Sequence, residues 1–423
     1  MLNDNPAAAI PYYQQLLDLS NQVSEYTLKA HYGLGYAYYN TERYGLAIPH
    51  FQYYLSQASN LPDKQYYEDA MIRLADCYLA QRNYSEATNL YGQAIQRNFA
   101  DKDYAYYRLG QAQSLSNNLA AARSSFDVLI NQFPNSIYYD QALYQKGLLD
   151  LEAGSYAVAI STFSRLIKEK VGSSLVPEAL LRRALASRNI GNNAAAIEDY
   201  KRLVNDFTTH PNAASALLSL QELLSSEGRE NELPPLLAKY REANPNSQTA
   251  ERVYFENAKS AYLNQQYQEA VTALKQYVRD YPQSPFVYDA RFFLAESYYR
   301  LDQFQDALLQ HRLVVQEQKS TYLSRSIRRA ADLALDRKAY SEAANYYRQL
   351  ASVTESKREQ VLAWVGLVKS YYEIQKYDSL NFFAERIINQ ADVAGAKNEA
   401  RLYQEKWPTG SNNFRRLSRF FSR

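Results

Sequence analysis

Four histidines, one cysteine and 45 acidic side chains are the groups in this 423-residue chain that acid–base, nucleophilic or metal chemistry would have to use. His31, His50, His210 and His311 fall in separate segments, with no HExxH and no histidine pair at the spacing that aims two imidazoles from one helix at a metal. Cys77 stands alone in the helical stretch "IRLADCYLA", which reads as a small buried thiol and excludes an internal disulfide or a cysteine-rich metal site. Asp69 with Asp76, and Asp289 with Glu296, are spaced for one helical face, as acid and base partners would be. A solvated face accounts for the same spacing. The glycines of "GLGYAYY", residues 33–39, lie inside a helical pattern and read as packing notches, not a phosphate loop. No Gly-x-Ser-x-Gly elbow occurs. The expectation is therefore no catalytic residue, no metal, no cofactor and no enzyme activity.

Composition narrows the alternatives further. The net charge of +2 gives no field that points to nucleic acid. Tyrosine carries much of the apolar surface, with 40 Tyr and 16 Phe against 2 Met and 2 Trp. Gly and Pro, at 13 each, are too scarce for a fold of short strands and turns. No run approaches the roughly 20 apolar residues of a membrane span. The opening "MLNDNPAAAIPYYQQ" lacks a basic segment followed by an apolar one, so it is not a secretory signal as it stands.

What must position any functional side chain is a repeated element. Apolar residues recur at i, i+3, i+4 and i+7 nearly everywhere, the helical period. An alanine sits at the same point of each "Y-x-x-A-x-x-x-[FY]"-like string: Ala47, Ala87, Ala122, Ala159 and Ala196, then Ala270, Ala307 and Ala343, with Leu380 in the last. The steps are 40, 35, 37 and 37, a gap of 74, then 37, 36 and 37. Half of that gap places a degenerate copy at Leu233, and a half copy opens the chain around Ala9. A second pattern, "A-x-x-x-L-[GA]-x-x-Y", precedes several anchors, as at Leu34-Gly35 with Tyr38, Leu74-Ala75 with Tyr78 and Leu294-Ala295 with Tyr298. Two antiparallel helices approach closely where small residues meet, so Gly35 is expected to face Ala47, and Ala75 to face Ala87. Pro134, Pro245 and Pro282 close their units, because proline cannot continue a helix.

These residues resemble the tetratricopeptide repeat, a helix–turn–helix unit with a Leu-Gly-x-x-Tyr first helix, an Ala-x-x-x-Phe second helix and a terminal proline. The resemblance covers nearly the whole chain. It implies an all-α superhelical solenoid of antiparallel helix pairs over residues 1–407, about ten repeats with a half repeat at each end and the weakest copy at 212–247. Residues 408–423 follow as a basic tail that reads as disordered, with a short basic amphipathic pattern. The chain opens and closes inside a repeat, which reads as a fragment of a longer protein. The period near 37 and the hinge "[FY]-P-x-S", as in Phe133–Ser136, are similar to the longer repeats of bacterial envelope proteins of the BamD and TolA-binding types.

In such a repeat the first helix lines the concave groove, and carrying its slots over assigns partner contact to Tyr32, Tyr36, Tyr39, Tyr107, Tyr144, Phe255, Tyr262, Phe292 and Tyr299. Tyr104 and Tyr372 fall in the same rows. The competing reading is that these rings only pack between neighbouring first helices. Charged residues of the groove would be Lys29, Asp76, Arg252, Lys259, Asp289, Glu296, Arg325, Arg328 and Lys369, and Arg325, Arg328 and Arg329 would form a basic ridge unless they are merely solvated. Slots five and nine of the first full unit are Tyr32 and Tyr36, so the carboxylate clamp of chaperone-binding members is missing. The expectation is a non-catalytic scaffold for a protein or peptide partner, periplasmic or associated with the outer membrane, with no nucleic acid and no transmembrane segment. The alternative is a cytoplasmic sensor region of a larger signalling protein.

Overall fold

A computed structural model of the chain describes residues 5–19, 22–58 and 65–406. Among them are 22 α-helices and no strand, the all-α solenoid of helix pairs that the periodicity implies. The basic stretch at 408–423 lies outside the described residues. Two compact units divide the chain, one running to Ala216 and the other from Leu217.

In the first unit α1 (Pro6–Leu19) precedes five pairs: α2 (Glu25–Asn40) with α3 (Tyr44–Ala58), α4 (Gln65–Ala80) with α5 (Tyr84–Gln96), α6 (Lys102–Leu115) with α7 (Leu119–Gln132), α8 (Tyr139–Glu152) with α9 (Tyr156–Glu169), and α10 (Val176–Asn189) with α11 (Asn193–Asp206). The division falls within α12 (Pro211–Ser226), which precedes α13 (Leu233–Ala243). The second unit continues with α14 (Gln248–Leu263) and α15 (Tyr267–Asp280), α16 (Val287–Arg300) and α17 (Phe304–Glu317), α18 (Leu323–Asp336) and α19 (Tyr340–Val353), and α20 (Lys357–Glu373) and α21 (Tyr377–Gln390). A last helix, α22 (Ala396–Glu405), packs on α20 and α21.

The anchors explain the pairing. Ala47, Ala87, Ala122, Ala159, Ala196, Ala270, Ala307, Ala343 and Leu380 are all fully buried, so each second helix lies against its neighbours at the same point of the repeat. The partner of the notch differs from the expectation. Gly35, Gly110 and Gly147 face aromatic rings, not the anchor alanines: a Cβ on each would stand 2.8, 2.6 and 2.5 Å from Phe51, Phe126 and Phe163. Each ring belongs to the residue four past the anchor and is fully buried, which contributes roughly 1.5–3 kcal/mol per phenylalanine.

Two kinds of turn set the frame. Within each pair, the residue five before the anchor is left-handed. Glycine fills this place only at Gly154, Gly191 and Gly228; elsewhere it is Glu42, Arg82, Asn117, Gln265, Asp302, Lys338 or Gln375, with φ between 54 and 65° for every non-glycine left-handed residue among the described residues. Gly228 stands five before Leu233, so the degenerate copy keeps the backbone of the others.

Between pairs, the hinge serine does the capping. The hydroxyls of Ser136, Ser284 and Ser320 accept the backbone N–H of Tyr138, Phe286 and Tyr322 at 3.1, 3.0 and 3.0 Å. That frees the aromatic at the N-cap of the next first helix to lie back on the previous repeat.

Candidate functional site

Those N-cap rings build the floor of the first-helix face. Tyr138 stacks on Tyr107 at 5.2 Å and 14°, Phe286 on Phe255 at 5.3 Å and 9°, and Tyr322 on Phe292 at 4.4 Å and 4°. The stacking is offset between rings from consecutive repeats and adds about 0.5–1.5 kcal/mol beyond burial. It also decides which expected residues reach solvent. Phe255 and Phe292 retain only 4% and 5% exposure. The assignment of Phe255 to partner contact is corrected, because the following repeat covers it and it packs; Phe292, though largely covered by Tyr322, still lines the second-unit recess.

The tyrosines divide more finely. Tyr36 is exposed at 37%, while Tyr32 is half-buried and donates its hydroxyl to Asp69 at 2.8 Å. Both line a recess of 660 Å³ together with Tyr13, Lys29 and Tyr66. Tyr39 is half-buried and donates to Asp76, and burial with that carboxylate pushes its hydroxyl up to about 12. Tyr144 lies half-buried against Phe163, and Tyr372 against Tyr403. Tyr262 packs half-buried on Phe293 at 5.4 Å, and the Arg329 guanidinium covers the Tyr299 ring at 3.9 Å.

Two of the carboxylates read as a solvated face, Asp76 and Glu296, are instead buried hubs. Asp76 is 2% exposed and accepts from the hydroxyls of Tyr39, Tyr91 and Tyr104 and from Arg73 and Arg108. These donors come from α2, α4, α5 and α6, so one charge ties three successive repeats together. Removing a partner from such a buried charge costs several kcal/mol. Glu296 is the counterpart in the second unit, held by Arg329 at 3.0 and 3.1 Å and by His311 at 3.4 Å. Burial alone would raise its pKa, but His311 and Arg329 outweigh that and bring it down to about 2. Asp289 accepts from Ser320 and from the backbone and hydroxyl of Thr321, which fixes the next hinge. Neither Asp76 nor Glu296 is left as a base for chemistry, because each already serves several donors.

Some contacts escape any local spacing rule. His31 and His50 meet at 3.0 Å between their Nδ1 atoms, across α2 and α3. His311 occupies the place where most repeats carry a ring of Phe or Tyr, and is fully buried. The Cys77 thiol is buried as expected, and burial pushes it up to about 12. Among the described residues no group of three or more His, Cys, Asp or Glu is placed to hold a metal ion, and no helix is long and apolar enough to cross a membrane.

The second unit holds the recess with the most functional character. It measures 540 Å³ and is lined from four successive first helices: Tyr262 and Leu263 of α14, Phe292 and Glu296 of α16, Arg325 and Arg328 of α18, and Glu359 of α20, with Tyr322 ahead of α18. An aromatic floor, a charged rim and an apolar edge converge there. Such a surface holds a side chain or a short segment of another molecule.

The family model described as tetratricopeptide repeat matches residues 3–62, 72–137, 144–220 and 255–318, well over half of the chain. No curated protein matches the sequence. Among solved structures, the chain is similar to MamA at 20% identity, covering 42% of this chain and 90% of that one with a TM-score of 0.37. The C-terminal part of a TPR repeat-containing protein from Cytophaga hutchinsonii aligns at 16% identity, over 68% and 95% of the two chains, with a TM-score of 0.41. YrrB, described as a TPR protein with an unusual peptide-binding site, aligns at 13% identity, over 56% and 95%, with a TM-score of 0.36.

Proposed function

Because the chain belongs to the tetratricopeptide repeat family, we propose that it is a non-catalytic interaction scaffold whose first-helix faces hold a peptide or helical segment of a protein partner. The observation that carries this reading is the 540 Å³ recess, lined by first helices of four consecutive repeats and the N-cap ring between two of them. A surface assembled from so many repeats is the kind that reads an extended segment, because each repeat offers one set of contacts along its length. The tyrosine-rich recess around Tyr32 and Tyr36 gives the first unit a comparable face. Tyrosine supplies large contact area at low rotamer cost, with a hydroxyl for backbone groups.

We also propose that the protein works in the bacterial cell envelope, on the strength of the repeat period and the aromatic–Pro–x–Ser hinge alone. Fractionation of cells that express the full-length gene tests this: recovery in the cytosolic fraction alone overturns it.

The scaffold reading is tested by placing a photoreactive amino acid at Tyr36, at Tyr262 and, on the second helix α9, at the 47%-exposed Val158. The expected result is one partner crosslinked in cells from a first-helix position and not from Val158. Equal labelling from Val158, or no adduct at either tyrosine, overturns the reading.

A further inference from the structure

The charges around the second-unit recess are unequally matched. Arg329 is spent on Glu296, at 3.0 and 3.1 Å. Arg328 lies between Asp332 and Glu359 at 3.9 and 4.0 Å, and Lys259 reaches Glu256 at 3.2 Å. Arg325 is exposed, and among the described residues no carboxylate lies within 4.0 Å of it. Its guanidinium instead rests 5.7 Å from the centroid of Tyr322, the ring stacked on Phe292. On the α14 side, Leu263 stands 60% exposed at the edge of the same recess.

We propose that this recess binds an acidic peptide segment, with one carboxylate paired to Arg325 and a neighbouring apolar side chain lying between Leu263 and the Phe292–Tyr322 stack. The proposal rests on the scaffold reading and gives the partner its chemistry. An unmatched guanidinium beside an aromatic floor favours a carboxylate, which it holds through two parallel hydrogen bonds. The apolar edge demands a second, uncharged contact beside it. Glu296, Asp332 and Glu359 on the same walls set the limit to one negative charge at a time, so a polyphosphate backbone is repelled where a peptide with spaced acidic residues is not.

The test uses fluorescence anisotropy with three labelled peptides: four copies of Asp-Leu-Ser, the same sequence with Asn for Asp, and the same with Ser for Leu. A single-stranded oligonucleotide is the fourth probe. The full chain is compared with Arg325→Glu and with Val158→Ala on the second helix α9, each checked for an unchanged helical circular-dichroism spectrum. The Asp-Leu-Ser peptide is expected to bind, weakening about tenfold or more with either peptide change or with Arg325→Glu, and not with Val158→Ala; a tenfold change corresponds to 1.4 kcal/mol. Binding should also fall as salt rises. No binding of the Asp-Leu-Ser peptide, equal binding of the Asn peptide, an undiminished Arg325→Glu, or tighter capture of the oligonucleotide each overturns the proposal. If the peptide fails while the Tyr262 crosslink persists, the acidic specificity falls and the scaffold reading stands. Loss of both overturns both.

Discussion

Two glycines in adjacent helices of the first unit make opposite predictions for the same substitution. A Cβ added at Gly92 in α5 meets nothing within 4 Å, whereas at Gly110 in α6 it would stand 2.6 Å from Cε1 and 2.8 Å from Cζ of Phe126. Alanine is the better helix former at both places by about 1 kcal/mol. That gain is common to the pair, so comparing the variants cancels it. At Gly92 it is the whole effect, and Gly92→Ala is expected to stabilise by about 1 kcal/mol. At Gly110, carbon atoms need about 3.5–4.0 Å, so the ring must retreat by roughly 1 Å. Phe126 is fully buried and has no open side to move into. Overpacking of this kind costs about 1–3 kcal/mol, which is the expected difference between the two variants. The assay is urea denaturation followed by circular dichroism, with amide hydrogen exchange in α6 and α7 to localise the loss. Phe126→Leu added to Gly110→Ala should recover part of it. Equal stability of Gly92→Ala and Gly110→Ala would show that Phe126 does not fill the notch, and the packing scheme of the repeat would fail with it.

Two further outcomes follow from the turns and the buried charges. Glu296 is depressed from an ordinary 4.5 to about 2, so its contribution to stability is complete above pH 5 and is lost as the pH falls towards 2. Burial likewise depresses His311, whose contribution is present above its ordinary 6.5 and is also lost on acidification. Glu296→Gln should flatten the melting temperature of the second unit between pH 5 and 2; an unchanged acid slope would place the sensitive group elsewhere. At the left-handed turns, Gln265→Gly should stabilise by up to about 1 kcal/mol by relieving the side-chain clash, and Gly191→Ala should destabilise by about as much. Melting curves with both changes in the same direction would contradict the left-handed backbone.

Much of the fold was legible because a buried apolar anchor, usually alanine, is a packing requirement that every repeat meets at the same place. Ala159 and Leu380 obey it alike, and Leu233 was found from the step length alone. The hinge was visible in Phe133–Ser136, but its mechanism was not, because a serine hydroxyl bonding two residues ahead looks the same in sequence as any loop serine. The groove was the least legible part. Phe255 and Tyr262 stand seven apart and share a helical face, yet one is buried by Phe286 from the next repeat and the other lines the recess. Local periodicity reports which face a residue takes and is silent about what a ring about thirty residues later lays over it. Asp76 misled for the same reason: its seven-residue spacing from Asp69 is real, while Tyr91, Tyr104 and Arg108 arrive from other helices.

The left-handed turn residues have a practical consequence. Glu42, Arg82, Asn117, Gln265, Asp302, Lys338 and Gln375 are all exposed, and though all are polar and none is β-branched, they differ in charge and length. The backbone, not the side chain, is what recurs there, so each position accepts a reporter with little penalty. Spin labels or fluorophores attached at these tips would form a graduated scale, one mark per repeat. Distances read between marks before and after a partner is added would show which repeats bend and which stay put.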